Sequence, residues 1–175
     1  MHGTVIQLNI SPGGLPKRPI FQANVTSAGI DGDGHGHAKF HGGPLRALLL
    51  IASETLDELI AAGYPLYPGA MGENLTTRGL DPRRMRLGQR YSAGEIEIEL
   101  TSIRVPCFQL DVYGASLQRE IYDRAVKAGD ANSPRWGLSG FYASVIEPGI
   151  IRPGDIISLR PERTTTGNAT TPRNA

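Results

Sequence analysis

Cys107 carries the most reactive side chain of the sequence, and it is the single cysteine among 175 residues. As a thiolate, a cysteine can bind a soft metal, attack an electrophile or carry a sulfur atom. Arg104 lies just upstream, and a positive charge near a thiol favours its ionised form. A lone cysteine also serves commonly as a small buried hydrophobic residue. Position alone therefore leaves a functional and a packing role open for Cys107.

A second group of reactive residue types lies in a glycine-rich segment, residues 29–44. This segment holds three of the four histidines of the chain, and no periodic apolar face runs through it. Glycines allow positive φ angles and a close approach of backbone N–H groups to a ligand. The glycines and histidines of this segment and Arg46, which follows it, are therefore candidates for binding a ligand.

Three interpretations of this segment stay open. His35, His37 and His41 with Cys107 are of the residue types that bind zinc, although no second cysteine supports such a site. Glycine N–H groups, the histidines and Arg46 also suit a cradle for a phosphate or another anionic part of a cofactor, and the residue types favour this interpretation. The third interpretation is an ordinary loop. We expect residues 31–43 to fold over Cys107.

The element that must position Cys107 is a short strand. Residues 95–100 alternate charged and apolar side chains at period two, which is typical of a half-buried strand. The apolar positions then change parity, which predicts a bulge near Thr101. Pro106 has no N–H for a strand ladder and ends regular pairing. Cys107 is therefore predicted just beyond the end of this strand.

The rest of the chain predicts a mainly β fold with a few helices, of the α+β class. The chain has 22 glycines and 13 prolines among its 175 residues, which exceeds the share of about 12% that these two residue types usually have together. This composition favours frequent turns. Helices are predicted from Ser53, as N-cap, to Gly63 and over residues 115–128. Further strands are predicted at residues 4–8, 20–25, 47–51, 141–146 and 150–159. Two more strands are predicted to begin within residues 70–76 and 85–91.

Composition also limits the classes of function. A net charge of +1 gives no indication of nucleic-acid binding or of a membrane surface. No apolar run approaches a membrane span and no signal peptide is visible, so a cytoplasmic protein is expected. One cysteine forms no internal disulfide, which agrees with a reducing compartment. We expect one domain over residues 1–160 and a disordered C-terminal tail over residues 161–175, because this tail has almost no apolar side chain to bury.

Several blocks, in this order, resemble a MOSC domain, which is named for the C-terminal domain of molybdenum cofactor sulfurase. The resemblance covers about residues 4–160, and the central block is similar to the R-x-P-C signature of the family. The blocks are G-I-D-G-D-G-H at residues 29–35, H-G-G-P-L-R-A at 41–47, G-A-M-G-E-N-L at 69–75, R-V-P-C at 104–107, G-F-Y at 140–142 and P-G-D at 153–155.

The resemblance implies a distorted β-barrel of the MOSC type and identifies Cys107 with the functional cysteine of the family. In relatives that reduce amidoximes, that cysteine binds the molybdenum of a pterin cofactor. Cofactor-binding roles are implied for the other residues that fall in the matching blocks. These residues are Asp33, His35, His41, Gly42, Gly43, Arg46, Asn74 and Arg104. At family level the resemblance also implies pyridoxal phosphate binding. The chain departs from amidoxime-reducing relatives at Glu73, where they tend to have an arginine.

The implied function is the reduction of N-hydroxylated bases or amidoximes at a molybdenum cofactor, with electrons from a separate reductase. An alternative is a sulfur carrier, in which a Cys107 persulfide passes sulfur between a donor and an acceptor protein. A second alternative is a cofactor- or anion-binding module without turnover. The oligomeric state is not predicted by any pattern in the sequence.

Overall fold

Strands make up most of the fold, as the alternating patterns predict. The structure is a computed structural model that describes residues 1–34 and 43–161. The strands are β1 (His2–Ile10), β2 (Arg18–Ile20), β3 (Ala23–Thr26), β4 (Gly29–Ile30), β5 (Leu48–Ala52), β6 (Leu75–Arg78), β7 (Arg90–Ala93), β8 (Ile96–Ile103), β9 (Phe141–Glu147), β10 (Gly149–Ile151) and β11 (Ile156–Leu159). The α-helices are α1 (Ser53–Ala61), α2 (Leu117–Ile121) and α3 (Arg124–Lys127), and short 3-10 helices cover Pro44–Arg46, Pro82–Arg84 and Phe108–Tyr113.

Seven strands close into a barrel. They are hydrogen-bonded in the order β11-β7-β8-β9-β5-β6-β1, and β1 pairs with β11 to complete the ring. Only the β5–β6 contact in this ring is parallel, and α1 lies in the connection between these two strands. β2 pairs with the far end of β1, while β10, β3 and β4 form a small separate sheet. The expected mainly β fold with a distorted barrel is therefore confirmed.

Two apolar clusters stabilise this architecture. The larger one is formed mainly by inward-facing residues of the barrel strands, such as Val5, Leu50, Ile98 and Phe141. The second contains residues of α1 and α2 on the other side of β5, and it includes Leu110 of the 3-10 helix after Cys107. Because Leu110 is fully buried, this helix is anchored by an apolar contact worth about 1.5–3 kcal/mol.

The single helix predicted over residues 115–128 is wrong, because the segment forms two short helices. α2 ends at Ile121, and the carboxylate of Asp123 accepts the backbone N–H of Val126 at 2.8 Å to begin α3. Such an N-cap satisfies a free donor of the new helix and stabilises it by about 1 kcal/mol. Local capping thus outweighs the helical spacing of the apolar residues.

Two other boundaries differ from the sequence prediction. Residues 20–25 were predicted as one strand, but β2 belongs to the barrel sheet and β3 to the small sheet. Ser53 is the first residue of α1 and not its N-cap, because β5 runs directly into the helix through Ala52. In the part of the chain that the structure describes, no helix has the length and apolarity needed to span a membrane.

The last barrel strand gives a test of the predicted domain limit. The Leu159 N–H donates to Met1 O at 2.9 Å and the Arg160 N–H donates to Arg90 O at 2.8 Å, while residues 162–175 lie outside the described residues. We expect truncation after Pro161 to leave the thermal midpoint Tm unchanged, because the removed segment has almost nothing to bury. Truncation after Asp155 removes β11 and should abolish cooperative thermal unfolding. A loss of stability in the shorter truncation would show that the tail packs on the domain.

Candidate functional site

Strand β8 brings Arg104 and Cys107 to the site. Its register with β9 shifts between Leu100 and Ser102, so the bulge predicted near Thr101 is confirmed. β8 ends at Ile103, and the next residue leaves the sheet, as the sequence predicts.

The turn before β9 holds the backbone of Arg104 on both sides. The Arg104 N–H donates to Gly140 O at 2.9 Å, and Ser139 Oγ donates to Arg104 O at 2.7 Å. Gly140 has a φ of 94°, and a Cβ there would lie 2.9 Å from Leu50 O. Only glycine suits this position, because both its conformation and the space around it exclude a side chain.

Cys107 is one of the partly exposed residues that follow β8. Cys107 is free and partly exposed, and its Sγ lies 4.0 Å from Gln109 Oε1. It directly precedes the 3-10 helix Phe108–Tyr113, which Leu110 anchors to the core. A fully buried packing role, which the sequence left open, therefore does not describe Cys107.

Two arginines meet at Tyr142 beside Cys107. Arg104 is only 3% exposed and is hydrogen-bonded to the Tyr142 phenol. The guanidinium carbon of the exposed Arg46 lies 5.5 Å from the centroid of the Tyr142 ring. Burial lowers the pKa of Arg104, while Tyr142, Cys107 and Glu73 partly offset this effect. Guanidinium groups so arranged are suited to an anionic ligand, because their planar forks match carboxylate and phosphate oxygens.

One nitrogen of Arg104 is left without a partner. Arg104 Nη1 is buried and forms no hydrogen bond with any residue in 1–34 or 43–161. A buried unpaired donor costs about 1–3 kcal/mol, and more when it is charged. The position is therefore complementary to an acceptor atom that the described protein does not supply.

Asn74 joins three strands at the start of β6. Its backbone N–H donates to Leu49 O at 2.8 Å, and its Oδ1 accepts the Leu49 N–H at 3.1 Å. On the other side its carbonyl accepts the Asn9 N–H at 2.8 Å, and its Nδ2 donates to Asn9 O at 3.2 Å and to Asp33 Oδ2 at 2.8 Å. The Asn74 side chain thus forms hydrogen bonds to residues next to or within β5 and β1, and it also binds the Asp33 carboxylate.

Asp33 forms a buried ion pair with Lys17. Their side chains are 2% and 9% exposed, and Asp33 Oδ1 also accepts the Ser11 N–H at 2.9 Å. Burial lowers the pKa of Lys17, and the charges of Asp33 and Glu73 partly offset this effect. Both oxygens of Asp33 are bound by the protein, so this carboxylate fastens the chain before the histidine-containing segment to the barrel.

Glu73 is fully buried next to Asn74. Its Oε1 accepts the Gly69 N–H at 2.6 Å and the Thr76 hydroxyl at 3.0 Å. Its Oε2 has no hydrogen-bond partner among the described residues. Burial raises the pKa of Glu73. Burial and a hydrogen bond with Tyr67 raise the pKa of Tyr113, with a smaller contribution from the charge of Glu73.

The structure brings together part of the predicted set. Arg46 and Arg104 both contact the Tyr142 side chain, and Cys107 follows Arg104 by three residues. Asp33 and Asn74 hydrogen-bond to each other. Gly43 begins the 3-10 helix that carries Arg46. His35, His41 and Gly42 lie outside the described residues, as does His37, so the fold of this segment over Cys107 stays a prediction.

The sequence interpretation missed three residues of this region. Two of them could have been identified from the sequence. Tyr142 belongs to the G-F-Y block, and Glu73 is a charged residue between a glycine turn and a strand. No sequence pattern indicates the role of Lys17, because only the tertiary fold brings it to its partner Asp33. Within the described ranges, no three His, Cys, Asp or Glu side chains are grouped to hold a metal ion.

Comparison with known proteins decides the family. The sequence profile of the MOSC domain matches residues 37–158, which is most of the chain. The chain belongs to the MOSC domain family.

Relatives of this MOSC domain occur among bacterial proteins. YflK of Bacillus subtilis is 28% identical over 150 residues, which cover 83% of this chain and 62% of that protein. YiiM of Escherichia coli is 32% identical over 93 residues, which cover 51% of this chain and 42% of YiiM. The matched part of the chain thus spans less than two thirds of either relative.

Solved structures agree with the fold of the MOSC domain. YuaD from Bacillus subtilis has a TM-score of 0.67 at 19% identity, covering 90% of this chain and 94% of that one. YiiM from Geobacillus stearothermophilus has a TM-score of 0.66 at 23% identity, covering 93% and 77%. At these identities the likeness shows the barrel architecture.

The buried ion pair of this MOSC domain can be tested by substitution. We expect Lys17→Met to destabilise the protein by about 3–5 kcal/mol, because Asp33 then keeps a buried charge without its partner. At about 2–4 °C per kcal/mol, Tm should fall by about 6–20 °C in thermal denaturation. Lys127→Met, at an exposed position of α3, is the matched control and should change Tm by no more than about 2 °C. Equal midpoints for the two variants would show that the pair does not stabilise the fold.

Proposed function

We propose that this MOSC protein binds the molybdenum cofactor through Cys107 and reduces N-hydroxylated bases or amidoximes, with electrons from a separate reductase. The observation that supports the proposal is a partly exposed cysteine three residues after Arg104, whose buried Nη1 has no hydrogen-bond partner among the described residues and which meets Arg46 at Tyr142. A thiolate is a suitable ligand for a soft or redox-active metal. The arginines supply the positive charge that a phosphate-bearing pterin needs nearby.

The residues present fit such a cofactor. Arg104 Nη1 and Arg46 are donors for anionic oxygens, and Tyr142 holds both guanidinium groups in place. When bound, the cofactor supplies a metal that exchanges electrons and an oxygen atom. His35, His41, Gly42 and Gly43 belong to the proposal as further donors of the cradle. Asp33 and Asn74 contribute indirectly, since they fix the chain before residues 35–42 to the barrel.

The chain's own contribution to the reaction is positioning and electrostatics. Reduction of an N–OH group to N–H consumes two electrons and two protons and releases water. Cys107 fixes the reaction centre at the end of β8, and Arg104 is held by the turn before β9. Arginines placed in advance stabilise developing negative charge without reorganisation.

The free, partly exposed Cys107 also favours a second candidate function, sulfur transfer. A persulfide donor would pass its outer sulfur to Cys107, leaving a thiol on the donor and Cys–S–SH on this protein. A partly exposed cysteine near cations suits this exchange, because the thiolate is the attacking form. Mass spectrometry after incubation with a persulfide donor distinguishes the two candidates, because only the carrier gains one sulfur atom at Cys107 and then passes it to an acceptor thiol. A protein that retains an anionic cofactor but performs neither reaction would be a binding module.

The role of Cys107 is tested by replacing its sulfur. We expect Cys107→Ser to lose both molybdenum and reductase activity, because a serine hydroxyl is a poor ligand for a soft metal. Tm should change by no more than about 2 °C, because the side chain is partly exposed and nearly isosteric. Elemental analysis of wild type and variant, made in hosts with and without cofactor synthesis, measures the metal.

Full activity of Cys107→Ser would contradict the proposal. A fall in Tm large enough to explain the loss of activity would instead assign Cys107 to packing. Cys107→Ala separates these outcomes. If Cys107 only packs, alanine should be tolerated better than serine, because a buried hydroxyl without a partner is costly; if the sulfur binds the metal, both variants should lose molybdenum.

Cofactor retention tests Arg46. We expect Arg46→Ala to weaken retention on the order of 10–100-fold, since a charge-assisted hydrogen bond contributes about 1.5–3 kcal/mol. Arg84→Ala, at an exposed position on a different 3-10 helix, is the matched control and should retain the cofactor. Pterin fluorescence after oxidation measures the bound fraction. Stoichiometric zinc without pterin, released together with unfolding by a chelator, would reverse the preference for a cofactor cradle over a zinc site.

A further inference from the structure

The bulge in β8 leaves one polar residue outside the ladder with β9. Ala143 and Tyr142 are consecutive in β9, and they pair with Leu100 and Ser102 of β8. Thr101 is therefore the extra residue of the bulge and has no opposite residue in β9. Bulges often re-aim a side chain next to an active site, so the contacts of Thr101 indicate what this bulge serves.

The Thr101 hydroxyl joins two segments of the site. Its Oγ1 donates to Leu45 O and lies 3.1 Å from Tyr142 O, which is a second acceptor. A hydroxyl has one proton, so the two carbonyl oxygens share it in a three-centre hydrogen bond. Leu45 directly precedes Arg46, whose guanidinium carbon lies 5.5 Å from the centroid of the Tyr142 ring. One hydroxyl thus links the backbones that carry the two side chains of this cation–π contact.

Apolar packing does not hold the 3-10 helix that carries Arg46. None of the residues of this helix, Pro44–Arg46, is buried, and Leu45 is 69% exposed. The chain is fixed directly after the helix, because a Cβ on Gly29 would lie only 2.6 Å from Ala47 O. On the β8 side, the helix is held by the Thr101 hydroxyl. The position of Arg46 therefore depends on polar contacts of the backbone and not on burial.

We propose that Thr101 is a positioning residue, which holds Arg46 over the Tyr142 ring so that its guanidinium is placed in advance for an anionic ligand. The proposal rests on the proposed function, in which Arg46 is a donor to an anionic oxygen of the cofactor. Thr101 acts through Arg46 and does not touch the ligand itself. A guanidinium that is already ordered loses less conformational freedom when it binds an anion. The bulge thereby gives β8 a second role beside the placement of Cys107.

Loss of the Thr101 hydroxyl should weaken anion binding although every donor to the anion remains. Thr101→Val keeps the shape of the side chain but leaves both carbonyl oxygens without this donor. We expect the full-length variant, prepared without cofactor, to bind inorganic phosphate about 3–10-fold more weakly than wild type, the factor that one ordinary hydrogen bond supplies. Calorimetric titration measures the dissociation constant.

Two further variants show whether the hydroxyl itself is responsible. Thr101→Ser keeps the donor and should bind phosphate as wild type does. Thr4→Val makes the same chemical change at a half-buried position of β1, which does not pair with β8, and is the matched control. It should also bind phosphate as wild type does.

The position of Arg46 is measured directly by NMR on the same cofactor-free proteins. The ring current of Tyr142 shifts side-chain protons of an arginine above its face to higher field, and the loss of this signal in Arg46→Ala assigns it. We expect the shifted signal in wild type, Thr101→Ser and Thr4→Val, and its return towards the ordinary arginine position in Thr101→Val. A merely structural role of Thr101 would lower Tm and leave this signal in place.

The proposal is overturned if either phosphate binding or the Arg46 signal is unchanged in Thr101→Val, or if Thr101→Ser fails to restore them. Wild type that binds no phosphate, or shows no shifted Arg46 signal, would overturn it as well. If Thr101→Val does not fold, Thr101→Ala takes its place, and failure of both variants to fold would assign Thr101 to the fold alone. Loss of both signals in Thr101→Val supports the positioning role even where wild type retains no molybdenum in elemental analysis, a result that counts against the reductase function only.

Discussion

The need to compensate buried charge organises the region around the site. Lys17, Asp33, Glu73 and Arg104 are all buried, and taking a charge out of water is costly unless another charge or several dipoles replace the solvent. The Lys17–Asp33 contact satisfies two of them and brings the chain before residue 35 against the start of β6. Asp33 also accepts a hydrogen bond from Asn74 Nδ2, so the ion pair and the Asn74 contacts between β1 and β5 share this carboxylate.

The buried polar groups of this region differ in how fully they are paired. Every polar side-chain atom of Asp33 and Asn74 has a partner within the protein. Glu73 and Arg104 each keep one side-chain atom without a hydrogen-bond partner among residues 1–34 and 43–161. Groups held in an unfavourable state by a surrounding scaffold are typical of sites where binding a ligand recovers the stability that the empty protein lacks. The fully paired side chains of Asp33 and Asn74 thus stabilise a region in which Glu73 and Arg104 are incompletely paired among the described residues.

Sequence predicted what local patterns determine. The charged–apolar alternation of β8, its bulge and Pro106 are local features, and they located Cys107 beyond a strand end correctly. The ordered blocks identified the barrel. Partnerships between distant residues were not accessible, because no local pattern shows that Lys17 meets Asp33 or that Glu73 acts on Arg104. The sequence did not indicate that residues 115–128 form two helices, because Asp123 can act as an N-cap only when the chain has left the preceding helix.

Barrel closure has a consequence for biosynthesis. β1 pairs with β11, so β1 leaves the ribosome long before the strand that completes the ring with it. At about 5–20 residues per second, this interval is on the order of ten seconds or more. Cys107 is synthesised before Ser139 and Gly140, whose turn holds Arg104 in place, so the nascent chain displays a reactive thiol before its neighbours exist.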